Sequence, residues 1–190
     1  MQGRLLRAAL ICSLIGCLPS TLRCQAIPLA RRSAGQAPSG SSLSFSVTPS
    51  LVDFALVSKG ISVGSLPVQM TLSWGQNSCR YGCRVRTYAY FANPNAALSG
   101  GGIPAWNIPS AEIYGQVPGG VATTYSPFVQ SNPITGSSGS LLLFEQRTNG
   151  SFGAAGSSTF QLYLDINLAN QPQLPAGSYT GIMFIQAETF

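Results

Sequence analysis

The chain has 190 residues, 45% of them hydrophobic and only 8% charged, with five cysteines and no histidine. The missing histidine excludes a Ser-His-Asp or Cys-His nucleophile and any imidazole metal site. The formal charge of +5 leans on Arg4, Arg7 and Arg23; from Ile27 onward Arg31, Arg32, Lys59, Arg80, Arg84, Arg86 and Arg147 stand against Asp53, Glu112, Glu145, Asp165 and Glu188, so there is no case for nucleic acid or an anionic membrane as partner.

The N-terminus reads as an export signal over residues 1–26. Arg4 and Arg7 form a basic start, and Ala8 to Leu18 is an apolar run of secretory length, too short to span a bilayer. Two processing readings compete. Cys24-Gln25-Ala26 is a small-x-small cleavage site that leaves a mature chain from Ile27. Leu14-Ile15-Gly16-Cys17 is similar to a lipobox, which would anchor the protein through an acylated Cys17. Cysteine parity favours the first, because it leaves only the pair Cys79 and Cys83. Either way the protein is exported, to the periplasm, the outer surface or the medium, with no membrane span in the mature chain.

Residues 27–42 have no periodicity and are rich in Gly, Ser, Pro and Ala, which predicts a flexible leader. One domain then runs over 43–190, long enough to bury a core. Leu43, Phe45 and Val47 alternate with serines, Pro49 breaks the run, and Val52 to Val57 resumes it, so the two halves can pair with different sheets. Val68, Met70, Leu72 and Trp74 alternate in the next strand.

Cys79 and Cys83 follow, with three residues between them, Gly82 among these. In an exported chain they predict a disulfide that clamps a hairpin, its short loop fixing local shape more than stability. Val85, Thr87, Ala89 and Phe91 share one face of the following strand, with Arg86, Tyr88 and Tyr90 on the other. Residues 92–109 read as a loop. Strands are expected at Ser110–Val117, Val121–Phe128 and Leu141–Arg147. Phe160, Leu162, Leu164, Ile166 and Leu168 then alternate strictly with polar residues, and after a loop with Pro172, Pro175 and Gly177 a final strand alternates from Tyr179 through Gly181, Met183, Ile185 and Ala187. The pattern predicts an all-β, Ig-like antiparallel sandwich of about nine strands and no helix.

Little of this chain suggests catalysis. The five carboxylates are scattered; Asp165, Glu112 and Glu145 fall at outward positions of strands, and Glu188 is almost terminal, so solvated sites are expected rather than an acid–base pair. No cofactor or metal is implied. The aromatic residues are the remaining ligand candidates: Tyr88 and Tyr90 on one strand face, and Trp106 between Pro104 and Pro109, as a stacking platform for a glycan. If Met183, Ile185 and Ala187 face the core, Ile182 and Phe184 face outward and need cover, from the 92–109 loop or from another protein.

At Leu174–Phe190, LPAGSYTGIMFIQAETF, the sequence resembles the C-terminal strand of bacterial pilin-like and spore-coat-protein-U-like secreted domains, and Leu43–Val57 resembles their first strand. The resemblance implies an exported, non-enzymatic structural or adhesive protein of the cell surface, which self-associates or joins other surface proteins, often by strand donation. It carries no catalytic residues. The leader 27–42 lacks the alternating apolar pattern of a donor strand. A carbohydrate-binding module is the alternative from a different class.

Overall fold

A computed structural model describes residues 6–14, 21–27, 43–75, 84–100, 106–133, 136, 138–147, 155–175 and 177–189; for 6–14 and 21–27 it describes the backbone pairing. The protein is an antiparallel β-sandwich of two sheets. Its strands in chain order are β1 (Leu6–Leu14), β2 (Thr21–Ile27), β3 (Leu43–Thr48), β4 (Leu51–Ala55), β5 (Ile61–Val63), β6 (Val68–Trp74) and β7 (Arg84–Phe91). There follow β8 (Leu98–Gly100), β9 (Asn107–Ile108), β10 (Ile113–Gln116), β11 (Ser126–Pro127), β12 (Ser140–Arg147), β13 (Gly156–Asn167) and β14 (Tyr179–Thr189). The strands outnumber the nine expected. Helical structure among the described residues is confined to 3-10 turns at Pro94–Ala96 and Ser110–Glu112.

The first sheet runs β12-β7-β14-β1-β2-β4, with β8 on β14 and β9 on β8; the second runs β11-β10-β13-β6-β3, with β5 on β13. The core lies between them. The row Phe160, Leu162, Leu164, Ile166 and Leu168 of β13 is buried, as are Val68, Met70, Leu72 and Trp74 of β6 and Met183, Ile185 and Ala187 of β14. These are the positions that period-two alternation assigns to the core, since each strand turns every second side chain to the same face. The interruption at Pro49 also has the expected consequence. Before it β3 pairs with β6 in the second sheet; after it β4 pairs with β2 in the first.

Close approach explains two glycines. A Cβ on Gly181 would collide with the Ala97 carbonyl oxygen, so the start of β14 fits under the 92–109 segment only without a side chain. A Cβ on Gly115 would stand 2.8 Å from Leu141 Cδ2, which lets β10 pass close to the first sheet. Tyr179 sits at the head of β14, buried, and its hydroxyl donates to the Pro175 carbonyl at 3.0 Å. The bond ties the head of β14 back to the residue four positions before it.

Three expectations are corrected. The 92–109 segment is not only loop: β8 and β9 add to the beginning of β14, and Leu98 and Ile108 enter the core. Two or three residues are too few to carry a readable period. Within Ser110–Val117 the strand is only Ile113–Gln116, preceded by a 3-10 turn. Within Val121–Phe128 only Ser126–Pro127 is strand, although Ala122 and Phe128 are buried. Leu6–Leu14 and Thr21–Ile27, which fall in the expected export signal, form strands of the first sheet. An apolar run of this length satisfies the core of a signal and a buried strand equally well. Cys17, residues 28–42 of the leader, and the pair Cys79 and Cys83 lie outside the described residues.

Candidate functional site

The first sheet is organised around β14. On one side, Met183 to Thr189 pair with β7, from Met183 opposite Phe91 to Thr189 opposite Val85. On the other side, Gly181 to Ala187 pair with β1, from Gly181 opposite Cys12 to Ala187 opposite Leu6. The β1 positions opposite the core-facing Met183, Ile185 and Ala187 are Leu10, Ala8 and Leu6; those opposite the outward Ile182, Phe184 and Gln186 are Ile11, Ala9 and Arg7. β2 then joins β1 to β4. The N-terminal hairpin is therefore what closes the first sheet between β14 and β4.

The outward face of β7 and β14 is covered. Tyr88 is 5% exposed and Tyr90 7%, although both point away from the core shared by Val85, Ala89 and Phe91. Tyr90 stacks on Phe184 with ring centroids 5.3 Å apart and planes at 20°. The parity assigned to these tyrosines holds, but neither presents an open ring face, so the expected stacking platform is not displayed. Trp106 is 38% exposed, just ahead of β9, and belongs to a different part of the surface. Of the two outward apolar residues of β14, Phe184 is half-buried on Tyr90 and Ile182 is 39% exposed. The chain supplies partial cover for one and leaves the other open.

Polar groups are buried in the same face. Gln186 is fully buried, and neither its amide oxygen nor its amide nitrogen has a hydrogen-bond partner; Glu188 is 5% exposed, and its Oε1 has none either. Glu188 lies opposite Arg86, and Gln186 opposite Tyr88. Burial pushes the Glu188 carboxyl up from an ordinary 4.5 to about 7, against the opposing pull of Arg86. Arg86 is committed elsewhere: its Nε donates to Glu145 Oε2, and Arg84 donates to the other oxygen of Glu145 at 3.0 Å. The solvated site expected for Glu188 is thus corrected. Strand parity gives its face and says nothing of what lies over it.

The other carboxylates lie apart. Glu112 accepts from Gln171 Nε2 at 2.8 Å, and Asp165 is bonded to Tyr125 on the second sheet. Among the described residues no three His, Cys, Asp or Glu gather as metal ligands, and no helix is long and apolar enough to cross a membrane. The void between the sheets, lined by Phe54, Phe91, Leu98 and Met183 among others, measures about 10 Å³, room for no ligand.

Fold and site together define an all-β sandwich whose first sheet is closed by its own N-terminal hairpin. No family model, curated protein or solved structure matches the chain.

Proposed function

We propose that this is an exported, non-enzymatic structural or adhesive protein of the cell surface, assembled by strand pairing, with β14 as the accepting edge. One observation carries the reading. The strand that completes β14 is Leu6–Leu14, largely the same residues that read as the apolar core of an export signal. Removal of a signal ending at Ala26 takes away β1 and all of β2 but Ile27. Gly181 to Ala187 then lose their partner on one side, and β4 loses its neighbour. An unpaired row of N–H and C=O groups beside an exposed Ile182 is a template for another chain's strand. The missing histidine and the dispersed carboxylates speak for structure over chemistry.

The test is intact-mass analysis of the exported protein, followed by sizing over a range of concentrations. The expected result is a chain starting at Ile27 that forms oligomers as concentration rises. Ile182→Thr should weaken the oligomers and leave the monomer's melting temperature unchanged. An exported chain that keeps residues 6–14 and stays monomeric would overturn the proposal.

A further inference from the structure

We infer that the outer face of the second sheet binds a neutral saccharide chain, seated in a groove between Tyr163 of β13 and Pro118. The groove follows from unequal strand lengths. β13 runs from Gly156 to Asn167, but β10 pairs with it only from Tyr163 to Ile166. Past Gln116 the chain turns away at Pro118 and Gly119, Gly119 at a φ of 79°. The Val121 N–H then bonds the Leu143 carbonyl of β12 at 2.9 Å. The first half of β13 therefore continues beyond the end of β10. The shortfall leaves an open groove of about 360 Å³, lined by Gln69, Pro118, Thr159, Gln161 and Tyr163. That volume falls in the usual range of ligand sites, about 300–1,000 Å³. Its wall is firmly placed: the Gly120 N–H bonds the Val117 carbonyl at 2.9 Å, and a Cβ on Gly120 would collide with the Leu143 carbonyl oxygen.

The lining selects the ligand. Gln161 and Gln69 are opposite each other in the register, and both are exposed. The Tyr163 hydroxyl donates to Gln161 Oε1 at 2.8 Å, which orients that amide and leaves its N–H groups to donate. The Thr159 hydroxyl is steadied by Thr71 at 3.2 Å. Amides and hydroxyls both donate and accept, as neighbouring hydroxyls of a sugar do. Tyr163, half-buried, adds aromatic surface for the C–H side of a sugar ring. Charge narrows the class further. The strands of the second sheet hold no Lys or Arg, and their single acid, Asp165, is bonded to Tyr125. A phosphate, sulfate or uronate would find no counter-charge on these strands. An apolar ligand would strip water from the two amides and leave them unpaired. A neutral polyol meets both conditions. Neither β1 nor β2 belongs to this sheet, so the site stands apart from strand pairing at β14 and from the position of the N-terminus.

The experiment is backbone amide NMR on isotope-labelled exported protein. The probes are neutral hexasaccharides of glucose, mannose and galactose, with a galacturonic acid hexasaccharide as the charged counterpart. At least one neutral chain should shift the amides of Gln69 and of Thr159 to Tyr163 saturably, and the galacturonate should bind at least about tenfold more weakly than that chain. Gln161→Ala, at an exposed position, should keep the melting temperature and weaken binding by about tenfold, the scale of one lost polar contact. Tyr163→Phe keeps the ring and should lose less than Tyr163→Ala. Failure of every neutral chain to shift these amides would overturn the inference, as would shifts centred on another part of the surface. Equal binding of the galacturonate, or unchanged affinity in Gln161→Ala, would overturn the selection argued from the lining.

Discussion

The outer faces of the two sheets are built on opposite plans. On the second sheet, β6 and β13 turn Gln69, Thr71 and Ser73 and Ser157, Thr159 and Gln161 away from the core, and all six are exposed or half-buried. Their hydroxyls pair across the strands, Thr71 with Thr159 at 3.2 Å and Ser73 with Ser157 at 2.9 Å. This is a sheet with one dry and one wet face, the usual arrangement for antiparallel strands. On the first sheet, the outward positions of β7 and β14 include Tyr88, Tyr90, Gln186 and Glu188, all buried, and the half-buried Phe184; Arg84 and Arg86 at one end are half-buried, and Thr180 and Ile182 at the other are exposed. The middle of this outer face, from Tyr88 and Tyr90 to Gln186 and Glu188, is under cover. The difference teaches that alternation identifies the inward row on both sheets, while the chemistry of the outward row tells whether that face meets water or protein.

The strongest way to break the comparison is to truncate one residue from each outer face. Tyr90→Ala should cost about 3–5 kcal/mol, as for an aromatic in a core, whereas Thr159→Ala on the wet face should stay within about 0.5 kcal/mol. Urea unfolding of both variants measures this, and similar costs would erase the distinction.

Glu188 sharpens it next. Its folded affinity for a proton is raised, so the folded state holds the proton where the unfolded state has released it. Stability should therefore fall as pH rises from about 4.5 to about 7 and level off above. Among the described residues, Arg86 and Tyr88 of β7 are the titratable groups that act on it. Glu188→Gln should flatten that slope in melting curves taken between pH 4 and 8. A wild-type midpoint independent of pH would mean the carboxyl reaches water.

Smaller effects follow at single hydroxyls. Tyr179→Phe loses the bond to the Pro175 carbonyl and should cost roughly 0.5–1.5 kcal/mol in urea unfolding. Thr87, in the core row of β7, has a buried hydroxyl with no partner. Thr87→Val keeps the shape and removes the desolvated group, so it should raise stability by up to about 1 kcal/mol. A loss of stability would show that the hydroxyl is satisfied.

What could be read from the residues was set by length and period. β6, β7, β13 and β14 each run seven residues or more, so alternation fixed their inward faces, and Pro49 marked the change of sheet. β8 and β9 were not legible, because two or three residues show no period; their role depends on Gly181 admitting the Ala97 backbone. β1 was legible in composition and ambiguous in meaning, since one apolar run serves export and strand pairing alike. The polar pair Gln186 and Glu188 gave one faint signal. They interrupt the apolar outward row begun by Ile182 and Phe184, but that both are buried depends on what lies over the sheet, which strand parity does not carry.

The central claim is that β14 offers its Gly181–Ala187 edge to another chain, and amide hydrogen exchange tests it most directly. In dilute exported protein starting at Ile27, the amides of this stretch that point away from β7 should exchange fast while their neighbours bonded to β7 stay slow. They should become protected as oligomers form. Uniform slow exchange along Gly181–Ala187 in a dilute monomer would contradict the account.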